Sequence, residues 1–175
     1  MQLPWRSLHP LPIDGPRILT SLTENETRTL RTLAEGVRVL EIGTACGFST
    51  VSMASVAQWV ISVDHHAHIN DSLSIAWSNL KSYGFNDRVT LLVGDSNTAL
   101  ADLSPKSFDL IFIDGDHSAQ GLTLDVKHAL RLIKPSGVLA FHDYGEDTCP
   151  DVAPTIDKLF TGSKELVDTL CLIRI

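Results

Sequence analysis

The sequence predicts an α/β domain with a doubly wound, mostly parallel sheet, helices on both faces and an antiparallel terminal strand. Two observations support this prediction. Apolar runs of strand length alternate along the chain with stretches in which apolar residues recur at helical spacing. The chain of 175 residues is also long enough for one well-buried domain, and no linker, repeat or low-complexity tract divides it.

The predicted elements begin with a helix and then alternate. Thr23 and Glu26 have the spacing of a capping box, which starts a helix that Gly36 ends. Strands are predicted at 39–42, 59–63, 89–93, 108–113 and 138–141. Crossover helices are predicted at 73–80 and 122–133, and a last helix at 152–160 precedes a closing strand within 166–173.

Composition limits the classes of partner. A formal net charge of -7 and a pI near 5.4 argue against binding to nucleic acid or to an anionic membrane, because both need a basic surface. A small-molecule partner is favoured. The three cysteines have unrelated spacings, which predicts neither a disulfide framework nor a zinc cluster and indicates a cytoplasmic setting. Residues 1–16 lack an apolar core of signal length, and no later run approaches a membrane span.

The most informative segment is residues 38–50, in which an apolar run ends in an acid and passes into a glycine-flanked turn. Gly43 and Gly47 let the backbone turn and approach a ligand closely, and Ser49 and Thr50 can cap the following helix. Glu41 would repel a pyrophosphate but can accept hydrogen bonds from an ammonium group, which favours S-adenosylmethionine over a dinucleotide. The glycine spacing also departs from the G-x-G-x-x-G fingerprint, and the chain has no Gly-Lys-Ser/Thr of a phosphate-binding loop.

This segment resembles motif I of the class I S-adenosylmethionine-dependent methyltransferases, in which an acid-x-Gly-x-x-x-Gly signature follows the first strand. The resemblance covers roughly residues 24–175 and implies a Rossmann-like fold with S-adenosylmethionine as the cofactor. It divides the chain into an N-terminal extension, residues 1–22, and a methyltransferase domain, residues 23–175. The extension would serve as a lid or as a contact in a homo-oligomer.

The resemblance assigns cofactor contacts to residues just after the strands, where doubly wound sheets bind their ligands. Asp64 would accept hydrogen bonds from two ribose hydroxyls, although an acid there could instead cap the next turn. Asp95 would accept from the adenine amine and the Ser96 backbone would donate to the ring, although Asp95 could instead be a plain helix N-cap. The full predicted cofactor set is Glu41, Gly43, Thr44, Gly47, Ser49, Asp64, His65, Asp95, Ser96 and Asp114.

A second signature, Asp-Gly-Asp-His at 114–117, resembles small-molecule O-methyltransferases such as the catechol and sugar enzymes. Asp114 and Asp143 end adjacent predicted strands, and the matching acids of those relatives bind Mg²⁺, which lowers the pKa of a coordinated hydroxyl. Tyr144 stands where the relatives place Asn or Asp as a third ligand. A weak Mg²⁺ site, a site completed by water and a metal-free base site all remain open. The two acids could also simply hold loop amides.

Two residues compete for the role of general base. His117 lies at the position of the catalytic lysine of the catechol enzyme, and an imidazole can take a proton from a hydroxyl near pH 7. Asp116 lies where sugar-modifying relatives place their proposed base. The histidines at 65, 66 and 68 share one loop without a distant ligand, so they do not indicate zinc. His142 and His128 are predicted to be structural.

These observations predict an O-methyltransferase that acts on a hydroxyl of a small molecule, with Mg²⁺ as an open option. The alternative is a protein that binds S-adenosylmethionine without transferring its methyl group and acts through a partner. A nicotinamide-dependent oxidoreductase is disfavoured by the glycine spacing. The sequence does not name the acceptor. Since little beyond residues 1–22 and 145–154 could cover the pocket, either the substrate is large or a second subunit completes the site.

Overall fold

The computed structural model describes residues 15–67 and 69–175. These residues form a seven-stranded sheet with helices packed on both faces. No helix within the described ranges is long and apolar enough to span a bilayer. The elements, in chain order, are α1 (Glu24–Ala34), β1 (Arg38–Ile42), α2 (Phe48–Ala54), β2 (Trp59–Asp64), α3 (Ser72–Ser82), β3 (Val89–Val93), α4 (Ser96–Ala99), β4 (Phe108–Ile113), α5 (Ala119–Leu132), β5 (Ile133–Phe141), α6 (Val152–Leu159), β6 (Glu165–Val167) and β7 (Leu170–Arg174).

The strands lie in the order β3-β2-β1-β4-β5-β7-β6. Strands β1 to β5 pair in parallel, while β7 pairs antiparallel with both β5 and β6. The strand order reverses between β1 and β4, and such a switch point is where doubly wound sheets bind ligands. The predicted doubly wound, mostly parallel sheet with an antiparallel end is confirmed.

The carboxyl-terminal end differs in detail from the prediction of one closing strand. The structure has two strands there, β6 and β7, joined by a turn at Asp168 and Thr169. Asp168 adopts a left-handed backbone with φ 53°, a conformation that aspartate tolerates better than most residues. Strand β5 also starts earlier than predicted. Its first residue, Ile133, pairs with Phe108 of β4 ahead of a register shift that ends at Leu110.

Two apolar cores lie on opposite faces of the sheet. One contains Leu30 of α1, Val51 of α2 and Leu80 of α3. The other contains Val126 of α5 and Ile156 of α6. Because both faces of the central strands are buried, a shift of one residue in the pairing would exchange the two cores, and the register is strongly specified.

The predicted N-terminal extension is described only in its last part. Ile18 and Leu22 are buried in the core that α1, α2 and α3 share, so residues 15–22 pack against the domain. The role of the extension as a lid or an oligomer contact stays a prediction. Residues 1–14, which make up most of it, and His68 lie outside the described residues.

The variant Gly43→Ala tests whether the turn after β1 needs a glycine. Gly43 has φ 104°, and an added Cβ would lie 2.0 Å from the carbonyl oxygen of Asp114. Alanine rarely adopts a positive φ, and its Cβ would clash with this oxygen. The variant should therefore lose at least ~2 kcal/mol of unfolding free energy in urea denaturation. Gly162→Ala is the control, since nothing lies within 4 Å of its added Cβ. Equal losses in the two variants would contradict the argument.

Candidate functional site

A cleft of about 850 Å³ opens at the carboxyl ends of β1 to β5. This volume suits a small-molecule ligand, and the cleft lies over the switch point of the sheet. Ser21 and Thr23, at the amino-terminal side of α1, contribute to its wall. The predicted site residues that line the cleft are Gly43, Asp64, His65, Asp95, Ser96, Asp114, Asp116, His117 and Asp143.

Four of the predicted cofactor residues lie behind this wall. Glu41, Thr44, Gly47 and Ser49 are buried and do not line the cleft. Gly47 is the N-cap of α2 with φ 85°, and no side chain caps that helix. The prediction that Ser49 and Thr50 cap the helix is therefore wrong, because both hydroxyls donate hydrogen bonds to Glu41 instead.

Glu41 is the centre of a buried hydroxyl cluster behind the turn. Its carboxylate accepts hydrogen bonds from the hydroxyls of Ser49, Thr50 and Ser62, and Thr44 Oγ1 lies 2.6 Å from Ser62 Oγ. Burial raises the pKa of Glu41 to about 7 in spite of its three donors. Glu41 therefore supports the glycine turn from the protein interior. Its predicted contact with an ammonium group is not supported, because the side chain is 0% exposed and does not reach the cleft.

Asp64 joins two loops of the cleft. Its Oδ2 accepts hydrogen bonds from the backbone N–H groups of Thr44 at 2.9 Å and Ala45 at 2.8 Å, and its Oδ1 accepts from His66 N at 2.6 Å. A carboxylate has about four lone-pair sites, so Oδ1 keeps the capacity for one more donor at the cleft wall. Asp64 thus caps the turn, as the alternative role predicted, and its contact with the ribose hydroxyls stays a prediction.

The acids after β3 and on α5 form the adjoining wall. Asp95 caps α4, since its side chain accepts a hydrogen bond from Asn97 N at 3.0 Å. The N-cap alternative is confirmed, and the adenine contact of Asp95 and Ser96 stays a prediction. The Ser96 hydroxyl donates to Asp125, an acid of α5 that also lines the cleft. Burial raises the pKa of Asp125 to about 6.

The carboxyl ends of β4 and β5 bring two acids and two histidines together. His117 Nε2 lies 3.4 Å from Asp114 Oδ1 and 2.9 Å from Asp143 Oδ2. His142 Nδ1 lies 3.4 Å and 3.2 Å from the same two oxygens. Asp143 has a left-handed backbone with φ 58°, a conformation that aspartate adopts more readily than most residues with a Cβ. The structure therefore places Asp114 and Asp143 together, as predicted.

These contacts shift the pKa of each group. The carboxylates of Asp114 and then Asp143 raise the pKa of His117 to about 10. Burial lowers the pKa of His142, but Asp114, Asp143 and Glu26 outweigh it and raise this pKa well above its usual value. Burial raises the pKa of Asp143, yet its contacts with the two imidazoles hold it below its usual range. Both shifts favour the protonated imidazole, which opposes the neutral His117 that a general base requires.

Glu26 connects the strand ends to the first helix. It completes the predicted capping box of α1 with Thr23, which is confirmed. It also accepts hydrogen bonds from the backbone N–H and the hydroxyl of Thr169, and His142 Nε2 lies 3.4 Å from its Oε2. Burial raises the pKa of Glu26, but His142 and the Thr23 N–H bring it down to about 2. The sequence offers no signal for this second role, because the capping box already accounts for the residue.

The donor atoms at the strand ends do not fit Mg²⁺. This ion prefers an octahedron of oxygens, whereas imidazole nitrogens lie against both acids. Tyr144, at the expected third position, does not line the cleft and donates its hydroxyl hydrogen bond to Asp157 at 2.8 Å. Cys149 adds a sulfur within 4.8 Å of the donor atoms of His117 and Asp143. The predicted Mg²⁺ site is therefore not supported by this donor set.

Two residues of the cleft wall, His142 and Asp125, carry signals that sequence analysis could have used. The sequence predicts a structural role for His142, yet it directly precedes a strand-end acid and so lies at the ligand edge of the sheet. Asp125 lies three residues after Leu122, on the apolar face of α5, where an acid is unusual. The cleft residues that the sequence analysis did not predict as site residues include His66, Asp125, His142, Glu146 and Cys149.

The variant Glu41→Gln tests the buried carboxyl group through pH. The pKa of Glu41 is raised from 4.5 to about 7, so between these values the folded protein holds a proton that the unfolded chain releases. Stability contributed by this group is present below pH 4.5 and falls as pH rises toward 7. Glutamine does not titrate, so the stability of the variant relative to wild type should rise by about 3 kcal/mol between pH 4.5 and 7.5. Urea denaturation at several pH values measures this difference, and parallel curves would contradict it.

The chain matches a family described as a methyltransferase domain over residues 40–144. It is 33% identical over 128 residues to a catechol O-methyltransferase of Mycobacterium tuberculosis, across 71% of this chain and 56% of that protein. It is 28% identical over 106 residues to a protein-L-isoaspartate O-methyltransferase of Koribacter versatilis, across 60% of this chain and 45% of that protein. The chain thus spans about half the length of the curated relatives it matches.

Solved structures share the fold over a larger part of the chain. The cofactor-bound protein Rv0187 from MTB superposes with a TM-score of 0.72 and 26% identity, covering 91% of this chain and 82% of that one. An O-methyltransferase from Bacillus cereus in complex with SAH gives a TM-score of 0.69 at 21% identity, covering 89% and 83%, which shows the fold alone. Because the family match extends from β1 through the strand-end acids of β5, the chain belongs to the methyltransferase domain family.

Proposed function

We propose that this protein is an S-adenosylmethionine-dependent methyltransferase that methylates a hydroxyl of a small molecule. The observation that carries the proposal is the cleft, whose wall joins the glycine turn after β1 to the acids that follow β2, β3, β4 and β5. Membership of the methyltransferase domain family and the 33% identity to a catechol O-methyltransferase support it. A small acceptor is proposed because a cleft of about 850 Å³ must hold cofactor and acceptor together.

The turn and the first three strand ends would hold the cofactor. Asp64 keeps one acceptor site on Oδ1 for a ribose hydroxyl, and Asp95 and Ser96 lie on the adjoining wall for the adenine. When bound, S-adenosylmethionine supplies a methyl group that its sulfonium already activates. The protein must then orient the acceptor hydroxyl and remove its proton, and orientation alone contributes up to about 7–11 kcal/mol.

We assign proton removal to Asp116 in preference to His117. Asp116 is exposed on the cleft wall, and its Oδ1 accepts a hydrogen bond from Ser118 N at 2.9 Å. His117 Nε2 is buried against Asp114 and Asp143, so this nitrogen is not open to an acceptor hydroxyl. The hydroxyl proton would pass to the Asp116 carboxylate as the new O–CH₃ bond forms and the C–S bond breaks, with its electron pair left on sulfur.

Asp64→Ala tests the cofactor site. S-adenosylhomocysteine should bind the wild-type protein at micromolar levels, and the variant should bind it about 1–3 kcal/mol more weakly, because the loop amides and the ligand lose a shared acceptor. Isothermal titration calorimetry measures both affinities. Asp102→Ala changes an exposed acid outside the cleft and should bind like wild type. Unchanged affinity in Asp64→Ala would remove this residue from the site, and a preference for a nicotinamide dinucleotide would overturn the proposed function.

Asp116→Asn tests the base. The variant should lower kcat by about 10²–10⁴ with little change in the affinity for S-adenosylhomocysteine, because only proton removal is lost. The assay follows conversion of S-adenosylmethionine to S-adenosylhomocysteine with a pool of hydroxyl compounds, and Asp102→Asn serves as the control. A silent Asp116→Asn beside a large loss in His117→Gln would transfer the role to His117. Intact cofactor binding without turnover on any acceptor would instead indicate a binding protein that acts through a partner.

A further inference from the structure

The first turns of α5 pack directly against Asp116, the acid to which we assign proton removal. A Cβ added at Gly121 would lie 2.2 Å from Cγ of Asp116 and 2.5 Å from its Cβ, so this side chain rests on Gly121. A Cβ added at Gly115 would lie 3.2 Å from Asp125 Oδ2, so the loop before Asp116 rests on Asp125. Because Gly121 and Asp125 are four residues apart, they share one face of the helix.

Asp125 is a buried acid that the proposed reaction does not use directly. Only 3% of its surface is exposed, although it lines the cleft. Burial raises the pKa of Asp125 to about 6, while the Ser96 hydroxyl and the backbone N–H of Asp116 oppose this rise by donating hydrogen bonds to the carboxylate. A buried polar group is costly unless it is hydrogen-bonded, and these two donors account for an acid on the apolar face of α5.

The contacts of Asp125 and of the start of α5 hold Asp116 at two levels. Ser96 Oγ donates to Asp125 Oδ1 at 2.5 Å, which ties α5 to the wall that follows β3. Asp125 then accepts from the backbone of Asp116. The side chain of Asp116 accepts from the N–H of Ser118, the N-cap of α5, at 2.9 Å and packs on Gly121. One helix therefore determines both where the Asp116 backbone lies and where its carboxylate points.

We propose that Gly121 and Asp125 are positioning residues for Asp116, one for its side chain and one for its backbone, with Ser96 anchoring Asp125. This inference rests on the proposed function, in which Asp116 removes the acceptor proton. A base must lie within hydrogen-bond reach of that proton, and a displacement of about 1 Å can lower the rate about 10²-fold. This face of α5 thus acts on the reaction through Asp116.

Asp125→Ala tests the support of the backbone. It should lower kcat about 10-fold or more and leave the affinity for S-adenosylhomocysteine within about 3-fold of wild type. Asp125→Asn should lose less, because its amide oxygen can still accept from the Asp116 N–H. Added to Asp116→Asn, Asp125→Ala should lower kcat no further, since the base that it positions is already gone.

Val126→Ala is the matched control for a loss of packing in α5. Val126 is the next residue on the helix, belongs to the apolar core and does not line the cleft. Its truncation should lower the unfolding temperature and keep kcat close to wild type at temperatures where the protein is folded. A merely structural role for Asp125 would give the two alanine variants the same kinetics.

Gly121→Ala tests the support of the side chain and also decides the question if Asp125→Ala does not fold. Alanine favours a helix more than glycine does, so a loss of kcat in the folded variant reports on the displaced Asp116 carboxyl group. The expected loss is about 10-fold or more, with circular dichroism as the check of folding. Gly162→Ala, whose added Cβ meets nothing within 4 Å, should match wild type.

Amide hydrogen exchange followed by NMR tests the positioning without turnover. The Asp116 N–H should exchange about 10-fold faster or more in Asp125→Ala than in Val126→Ala, because it loses its acceptor. The proposal is overturned if these two variants agree in exchange and kcat, if the kcat losses of Asp125→Ala and Asp116→Asn add, or if folded Gly121→Ala keeps its kcat. A wild-type protein without turnover would contradict the proposed function instead, and the exchange rates would still decide the positioning.

Discussion

Charge that is partly or fully buried at the carboxyl ends of β4 and β5 is the constraint on which the rest of the site depends. Glu26, Asp114, His117, His142 and Asp143 lie in contact there, and both faces of the sheet are covered around them. A buried ion pair adds little net stability, but removing one partner leaves an uncompensated charge, at a cost that is greatest at the buried Glu26 and His142. Replacing one of these charged side chains alone therefore destabilises the others. Through Glu26 the same requirement fixes where α1 begins and where the turn between β6 and β7 lies.

A second buried acid shapes the other half of the cleft by different means. Glu41 has hydroxyl donors and no cation, and its raised pKa lets it hold a proton close to neutral pH. Its hydrogen bonds join β1, β2 and α2 beneath the glycine turn, while Asp64 holds the backbone of that turn from the cleft side. The turn is thus restrained from both sides, and this preorganisation reduces the ordering that a ligand must impose.

The fold could be predicted because its signals are local. Apolar runs and helical periodicity locate β1 to β5 and the crossover helices, and parallel pairing then brings the strand-end acids to one edge. The terminal hairpin was not resolved from sequence, since β6 has only three residues and its turn depends on the left-handed Asp168. Which way an acid points could not be predicted either. Glu41 follows apolar residues on a strand buried on both faces, and nothing local shows that its carboxylate turns inward.

The role of His142 depends on contacts that are distant in sequence, so the sequence alone predicts only a structural role for it. Its neighbours come from α1 and from the end of β4, so only the folded chain shows three carboxylates around one ring. Those three carboxylates with two imidazolium ions leave one net negative charge. Each imidazole thus offsets one carboxylate, so the three acids can lie together at the strand ends only while both histidines are present.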